Sequence, residues 1–211
     1  MGTTSDFFDS KAAGWEESCY PEDVRARLVD LIPEFRLASE ARVLDIGTGP
    51  GVLLPYIRKG VGDSGRVCAF DLSLPMAREA GRKPLGPGDL VLKADVHHIP
   101  FRDGVFDNVI CFAAFPHFQR PVPALAEMVR VAAEGAVVVI AHLMSRQELA
   151  DHHGAHSAVA SHVLPSDSRM KIWLEAAGLS NCDIIDAPGR YLARGIKQST
   201  AGAVFPGTAA P

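Results

Sequence analysis

Asp45, Asp71 and Asp95 each stand at the end of an apolar run, in "VLDIGTGPG" (43–51), "GRVCAFDL" (65–72) and "DLVLKAD" (89–95). A carboxylate buried at a strand end is costly unless something pairs with it. Gly47, Gly49 and Gly51 follow Asp45 as GxGxG, after a strand and before a helix, where a backbone comes close to a ligand. Many nucleotide-binding sheets share that loop. Asp71, twenty residues after Gly51, is placed to accept hydrogen bonds from ribose hydroxyls, which NAD and S-adenosylmethionine both carry. Asp45 separates the two. It would repel a pyrophosphate, whereas S-adenosylmethionine brings an ammonium and a sulfonium. Asp95 is placed to accept from an adenine amino group, with the following N–H donating to the ring. Three acids at successive strand ends fit a cationic adenosyl cofactor and fit a dianionic one badly.

The second group is the histidines. There are eight, and His152, His153, His156 and His162 fall within eleven residues. His152 and His156 are spaced i,i+4 and would share a helix face, which is also metal-ligand spacing. His117 and His142 lie just past two strands, on the edge where open parallel sheets bind ligands. Three readings stand. The 152–162 histidines are solvated or capping residues; or they line an acceptor pocket with His117 or His142 and take a proton; or His152, His153, His156 and His162 hold a metal or a tetrapyrrole. As catalytic bases, His117 and His142 come first and His153 next, since histidine suits that role near neutral pH. No metal site is assigned. His97 and His98 read as loop residues beside the adenine. Arg146 is placed to anchor an acidic acceptor or to form a surface salt bridge.

These residues need a frame. Apolar runs at 41–46, 65–72, 89–95, 105–114 and 135–142 read as strands, alternating with helical patterns at 51–60, 73–82 and 121–133. Ser73 is a plausible cap for the second of these helices. Such alternation implies a parallel sheet covered on both faces. Residues 145–165 read as helical with breaks, 166–179 as a helix, and 181–187 and 190–197 as two closing strands. Residues 5–38 hold helical material where a lid over a site could lie.

The chain has 211 residues, of which 47% are hydrophobic, and a net charge of -4. That favours one domain with a small appendage and argues against a nucleic-acid partner. The polar, acidic start is no signal peptide, and no apolar stretch is long enough to span a bilayer. Cys19, Cys68, Cys111 and Cys182 show no CxxC spacing, and Cys68 and Cys111 read as buried free thiols. A reducing, cytoplasmic setting is expected.

"VLDIGTGPG", "VCAFDLSLPM", "ADVHHIPFRDGVFDNVICFAAFPHF" and "LAEMVRVAAEGAVVVIAH" together resemble the class I S-adenosylmethionine-dependent methyltransferases, in the small-molecule branch of the ubiquinone/menaquinone biosynthesis C-methyltransferases. The resemblance covers roughly residues 40–142, and the pattern at 166–197 is in keeping. It implies an α/β fold: a doubly wound, Rossmann-like, seven-stranded, mostly parallel sheet with helices on both faces and strand 7 antiparallel. It implies a helical cap over 1–38 and a cofactor-binding domain over 39–198; the His-rich insertion at 145–165 departs from that branch, and the composition of 199–211 reads as a disordered tail. Asp45 and Met76 would join the cofactor site. Gly47, Thr48, Gly49 and Gly51 would wrap the methionine moiety. Asp71 would hold the ribose, Leu72 pack on the adenine, and Asp95 and Val96 read its edge. Phe112 and Ala113 would face the methyl-transfer region.

The expected activity is in-line methyl transfer to a small-molecule acceptor, by a monomer or homodimer. The end of strand four, "CFAAFPHF", lacks the Asn/Asp-Pro-Pro-aromatic pattern of the DNA amino-methyltransferases. A non-catalytic protein that holds the adenosyl ligand while its histidines bind metal or a tetrapyrrole is the alternative. An NAD oxidoreductase would want a Tyr/Lys arrangement not seen here.

Overall fold

The computed structural model describes residues 4–155 and 159–199. Its strands are β1 (Arg42–Ile46), β2 (Arg66–Asp71), β3 (Leu90–Lys93), β4 (Phe106–Phe112), β5 (Ala132–His142), β6 (Leu179–Ala187) and β7 (Arg190–Lys197). They form one sheet in the order β3-β2-β1-β4-β5-β7-β6. β1 to β5 pair in parallel, and β7 runs antiparallel to both β5 and β6. This is the expected doubly wound sheet. The helices are α1 (Thr4–Lys11), α2 (Trp15–Cys19), α3 (Glu22–Leu31), α4 (Leu54–Val61), α5 (Leu74–Ala80), α6 (Pro121–Val131), α7 (Arg146–Gly154) and α8 (Asp167–Ala176).

Strand periodicity sorts the core into two layers. Val43, Val67, Ile110 and Val139 face Leu28, Leu31 and Phe35 from the N-terminal segment and Leu54 and Ile57 from α4. Leu44, Val109, Val138 and Ile140 face Leu125 and Met128 of α6 and Met170 and Leu174 of α8. With both faces covered, the strands read as near-continuous apolar runs.

The differences from expectation have local causes. Gly47, Gly49 and Gly51 have φ of +65°, +54° and +81°, so the helix expected from residue 51 starts only at Leu54. β5 begins at Ala132, not at residue 135, because α6 hands directly into the strand and Gly135, at φ +76°, takes up the bend. β6 begins at Leu179, two residues early, with Asn181 at φ +50° inside a register shift. Ser73 caps α5 as expected, accepting from the Met76 N–H. Ser145 and Glu148 form a reciprocal capping box that starts α7. His156 and the tail beyond Ser199 lie outside the described residues. Among the described residues, no helix is long and apolar enough to cross a membrane.

Candidate functional site

The carboxyl ends of the central strands, together with α1 and α2, enclose a cavity of about 960 Å³. Of the expected cofactor residues, Gly47, Thr48, Gly49, Asp71, Leu72, Met76, Asp95, Val96, Phe112 and Ala113 line it. So do His117, His142, His152 and His153.

Two expected residues are absent from the wall. Gly51 faces away from the cavity: a Cβ there would lie 2.9 Å from Ala80 Cα and from Leu54 Cδ1. It lets the loop pack on α5 and does not wrap a ligand. Asp45 is also corrected. Its side chain lies on the Val43 face of β1, is 1% exposed, and accepts from Thr48 Oγ1 at 2.6 Å. It supports the loop from beneath. Burial lifts its carboxyl to about 7, against the pull of the Thr48 hydroxyl and with help from the Asp71 charge. Because the folded value is raised, the folded chain keeps a proton that the unfolded chain releases near pH 4. Stability contributed by this group is therefore lost as pH rises from about 4 to about 7. Asp45→Asn is expected to flatten the stability curve across that window, read by urea unfolding at several pH values. An unchanged slope would show that Asp45 is ionised in the folded chain.

The upper loop fits a methionine-and-ribose ligand. A Cβ on Gly49 would meet open space, and its N–H donates to Asp71 Oδ2 at 2.8 Å. Ser73 N–H donates to Asp71 Oδ1 at 2.8 Å. An ionised carboxylate has about four acceptor positions, so capacity remains for ligand hydroxyls. Burial pushes the Asp71 carboxyl up, while the Ser73 and Gly49 N–H groups pull it back. Leu72, beside it, is a large apolar side chain left 47% exposed, as a surface waiting for an adenine would be. Met76 is buried beneath. Asp95 accepts from the His97 N–H at 2.9 Å and from His97 Nδ1 at 2.6 Å. Burial would raise the Asp95 carboxyl, but these bonds and the charges of His97 and His98 carry it below its ordinary value. The His97 ring is thus a fixed part of the wall, and its other nitrogen lies 3.2 Å from the Arg120 carbonyl oxygen.

The far end is aromatic and imidazole. Phe112 lies 6.3 Å from Tyr20 and 6.4 Å from His142, ring centre to ring centre. Ala113 follows at φ +54°, a left-handed conformation that a non-glycine residue holds only when its surroundings impose it. Met144 N–H donates to His142 Nδ1 at 3.0 Å, so the neutral His142 ring carries its proton on Nε2. With Nδ1 taken up by Met144, the neutral His142 ring has an N–H and no free lone pair, which does not suit the base expected of it. Burial, then the charges of His153, His152 and Arg27, push His142 down to about 4. Burial, then His153, His162 and His142, push His117 down to about 3. Both rings are neutral near pH 7. The His117 ring lies 5.1 Å from that of His153. Among the described residues, no group of three or more His, Cys, Asp or Glu side chains is arranged to hold a metal ion. Arg146 pairs with Asp186 at 3.4 Å, outside the cavity.

Sequence reading missed the aromatic wall. Phe7, Phe8, Trp15 and Tyr20 line the cavity from the N-terminal helices. Phe8 packs edge-on 5.6 Å from Trp15 and 5.0 Å from His117. The signal was present in "DFFDSKAAGWEESCY", where large aromatics interrupt an otherwise polar segment.

Residues 44–140 match the family model described as a methyltransferase domain. The chain is 30% identical over 138 residues to the ubiquinone/menaquinone biosynthesis C-methyltransferase UbiE of Coxiella burnetii, covering 64% of this chain and 55% of that protein. It is 36% identical over 118 residues to the demethylmenaquinone methyltransferase of Thermus thermophilus, covering 55% of this chain and 52% of that one. The chain thus spans about half the length of these two relatives. A SAM-dependent methyltransferase from Aquifex aeolicus is similar in structure, with a TM-score of 0.70, 25% identity, and coverage of 89% of this chain and 97% of that one. Its sheet order and its glycine loop agree with that match, and its fold is that of the class I S-adenosylmethionine-dependent methyltransferases.

Proposed function

We propose that this chain moves a methyl group from S-adenosylmethionine to a small acceptor that is uncharged or weakly acidic. One observation carries the reading: a single cavity joins the glycine loop and Asp71 to an aromatic end walled by neutral imidazoles. The cofactor supplies an electrophilic methyl on a sulfonium that becomes neutral in the transfer. The chain has to hold two molecules in line and keep water away, and positioning of that kind accounts for much of the rate.

Gly47, Thr48 and Gly49 shape the methionine end of the site. Asp71 takes the ribose, Leu72 and Met76 flank the adenine, and Asp95 and Val96 meet its edge. Phe112, Ala113 and the imidazoles of His117, His142 and His153 bound the acceptor. His153 is the base, His142 is a hydrogen-bond donor, and His117, whose proton affinity burial lowers, orients the acceptor. Residues 1–38 act as a cap on the 39–198 domain, and 145–165 contribute the histidines. The UbiE and demethylmenaquinone methyltransferase likenesses support a small-molecule acceptor.

The test is incubation with methyl-labelled S-adenosylmethionine and fractionated small molecules from cell extract. Label in a low-molecular-weight product supports the reading, and label only in protein or nucleic acid refutes it.

The cap is clasped from below. Glu16 pairs with Arg25 at 3.2 Å and with Lys83, so one carboxylate ties α2 to the chain after α5. Lys83→Ala is expected to increase proteolytic cleavage within residues 5–21 severalfold, and S-adenosylhomocysteine to suppress it. Cleavage equal to that of the parent would remove the clasp from the account.

A further inference from the structure

Tyr20 carries a hydroxyl that the fold leaves unused. The residue closes α2, where its N–H donates to the Glu16 carbonyl oxygen at 2.9 Å and its own carbonyl oxygen accepts from Arg25 Nε at 2.7 Å. Both ends of its main chain are thus fixed. Its ring packs on the core layer that holds Phe112, with ring centres 6.3 Å apart, and lines the cavity. No described residue hydrogen-bonds its hydroxyl. A polar group sealed in a core without a partner is costly, and the hydroxyl of Tyr191 is such a case. The Tyr20 hydroxyl is not sealed; it opens on the cavity.

The charges around this phenol are of one sign. Burial, then the charges of Cys19, Asp45 and Glu16, push its hydroxyl up, so it is neutral at pH 7. Burial raises the Cys19 thiol too, which leaves Asp45 and Glu16 as the negative groups. Glu16 is paired with Arg25 and Lys83. Asp45 is bonded to the uncharged Thr48 hydroxyl and pairs with no cation among the described residues. A neutral phenol offers lone pairs as well as a proton. Near an unpaired carboxyl and beside an aromatic ring, those lone pairs suit a cation, and aromatic faces attract cations too. His117 and His142 are both neutral near pH 7 and do not compete for that place. On the assignment above, the methionine end of the donor sits at Gly47–Gly49 and its ribose at Asp71. Covalent structure puts the sulfonium between them, on the Phe112 side where the acceptor is bounded.

We propose that Tyr20 binds the sulfonium of the methyl donor through its hydroxyl oxygen, and so makes the site favour the charged donor over the neutral product. The inference rests on the methyl-transfer reading above. Methyl transfer leaves the bonding electron pair on sulfur and abolishes the charge. The phenol then has no cation to hold, so the product departs more easily than the donor does. Tyr20 is a specificity-determining residue and not a base, since its hydroxyl keeps its proton.

The test is isothermal calorimetry of the full chain with S-adenosylmethionine and S-adenosylhomocysteine, which differ by the methyl group and the charge. Tyr20→Phe keeps the ring and removes the oxygen. It is expected to weaken S-adenosylmethionine about tenfold, the scale of a polar contact with a charged group, and to leave S-adenosylhomocysteine within about twofold of the parent. Equal loss for the two ligands, or no loss for either, would overturn the inference. A second measurement uses the parent chain alone and so does not depend on a variant that folds. With S-adenosylmethionine labelled with carbon-13 at the methyl, the bound methyl protons are expected to show a nuclear Overhauser contact with the Tyr20 ring. A bound methyl that touches Phe112 and not Tyr20 would also overturn the inference. A parent chain that binds neither ligand would remove the methyl-transfer reading and this inference together, whereas an unmoved preference with both ligands bound removes the inference alone.

Discussion

Asp71→Ala is expected to weaken S-adenosylmethionine binding by about tenfold to a hundredfold, since hydrogen bonds to a charged group are worth about 1–3 kcal/mol and each 1.4 kcal/mol is a factor of ten. Two losses combine. The carboxylate no longer accepts from ribose hydroxyls, and the N–H groups of Gly49 and Ser73, each 2.8 Å from an Asp71 oxygen, lose their partner. The loop that meets the methionine end is then less well ordered. Asp71→Asn separates the effects, because its amide keeps one acceptor oxygen and no charge. It should fall between parent and alanine in isothermal calorimetry. Affinity unchanged in both variants would remove Asp71 from the cofactor site.

Gly47→Ala is expected to destabilise the fold by about 2–4 kcal/mol, the combined scale of a left-handed non-glycine residue and an overpacked contact. The backbone there has φ +65°, and the new Cβ would lie 2.4 Å from Ala114 Cβ. Neither atom is the end of a flexible side chain, so the β1 loop and the turn after β4 must separate. The double variant Gly47→Ala with Ala114→Gly should recover the contact part and leave the backbone part, which a denaturation cycle over the four proteins reads directly. Additive single effects would mean that the two loops do not touch. Cofactor affinity should fall with stability, because the same two loops wall the cavity.

Much of this was legible in the sequence. The strands are long, apolar and fully covered, so their runs were plain, and the glycines mark where the chain must turn under a ligand. Asp71 and Asp95 were legible because a carboxylate closing a buried strand needs a reason. Asp45 shows the limit of that logic. It has the same residue type and the same strand parity, but it stands inside β1, before the strand's last residue, where it is buried and Thr48 satisfies it. Gly51 was misread for a similar cause: one spacing pattern contains a residue that meets the cavity and one that meets α5. The histidines were visible as a cluster but not as roles. Which nitrogen of His142 holds the proton depends on the Met144 backbone, and the link from His162 to His117 spans 45 positions. The aromatic wall was hidden because its residues lie on short helices with no strong apolar stripe, and only tertiary packing brings Phe8 against His117.

Calorimetric titration of the purified chain with S-adenosylmethionine, S-adenosylhomocysteine and NAD, in parallel, tests the central claim most directly. The account predicts saturable one-to-one binding of both adenosyl ligands and no heat from the dinucleotide. Binding of NAD with indifference to S-adenosylmethionine would contradict it.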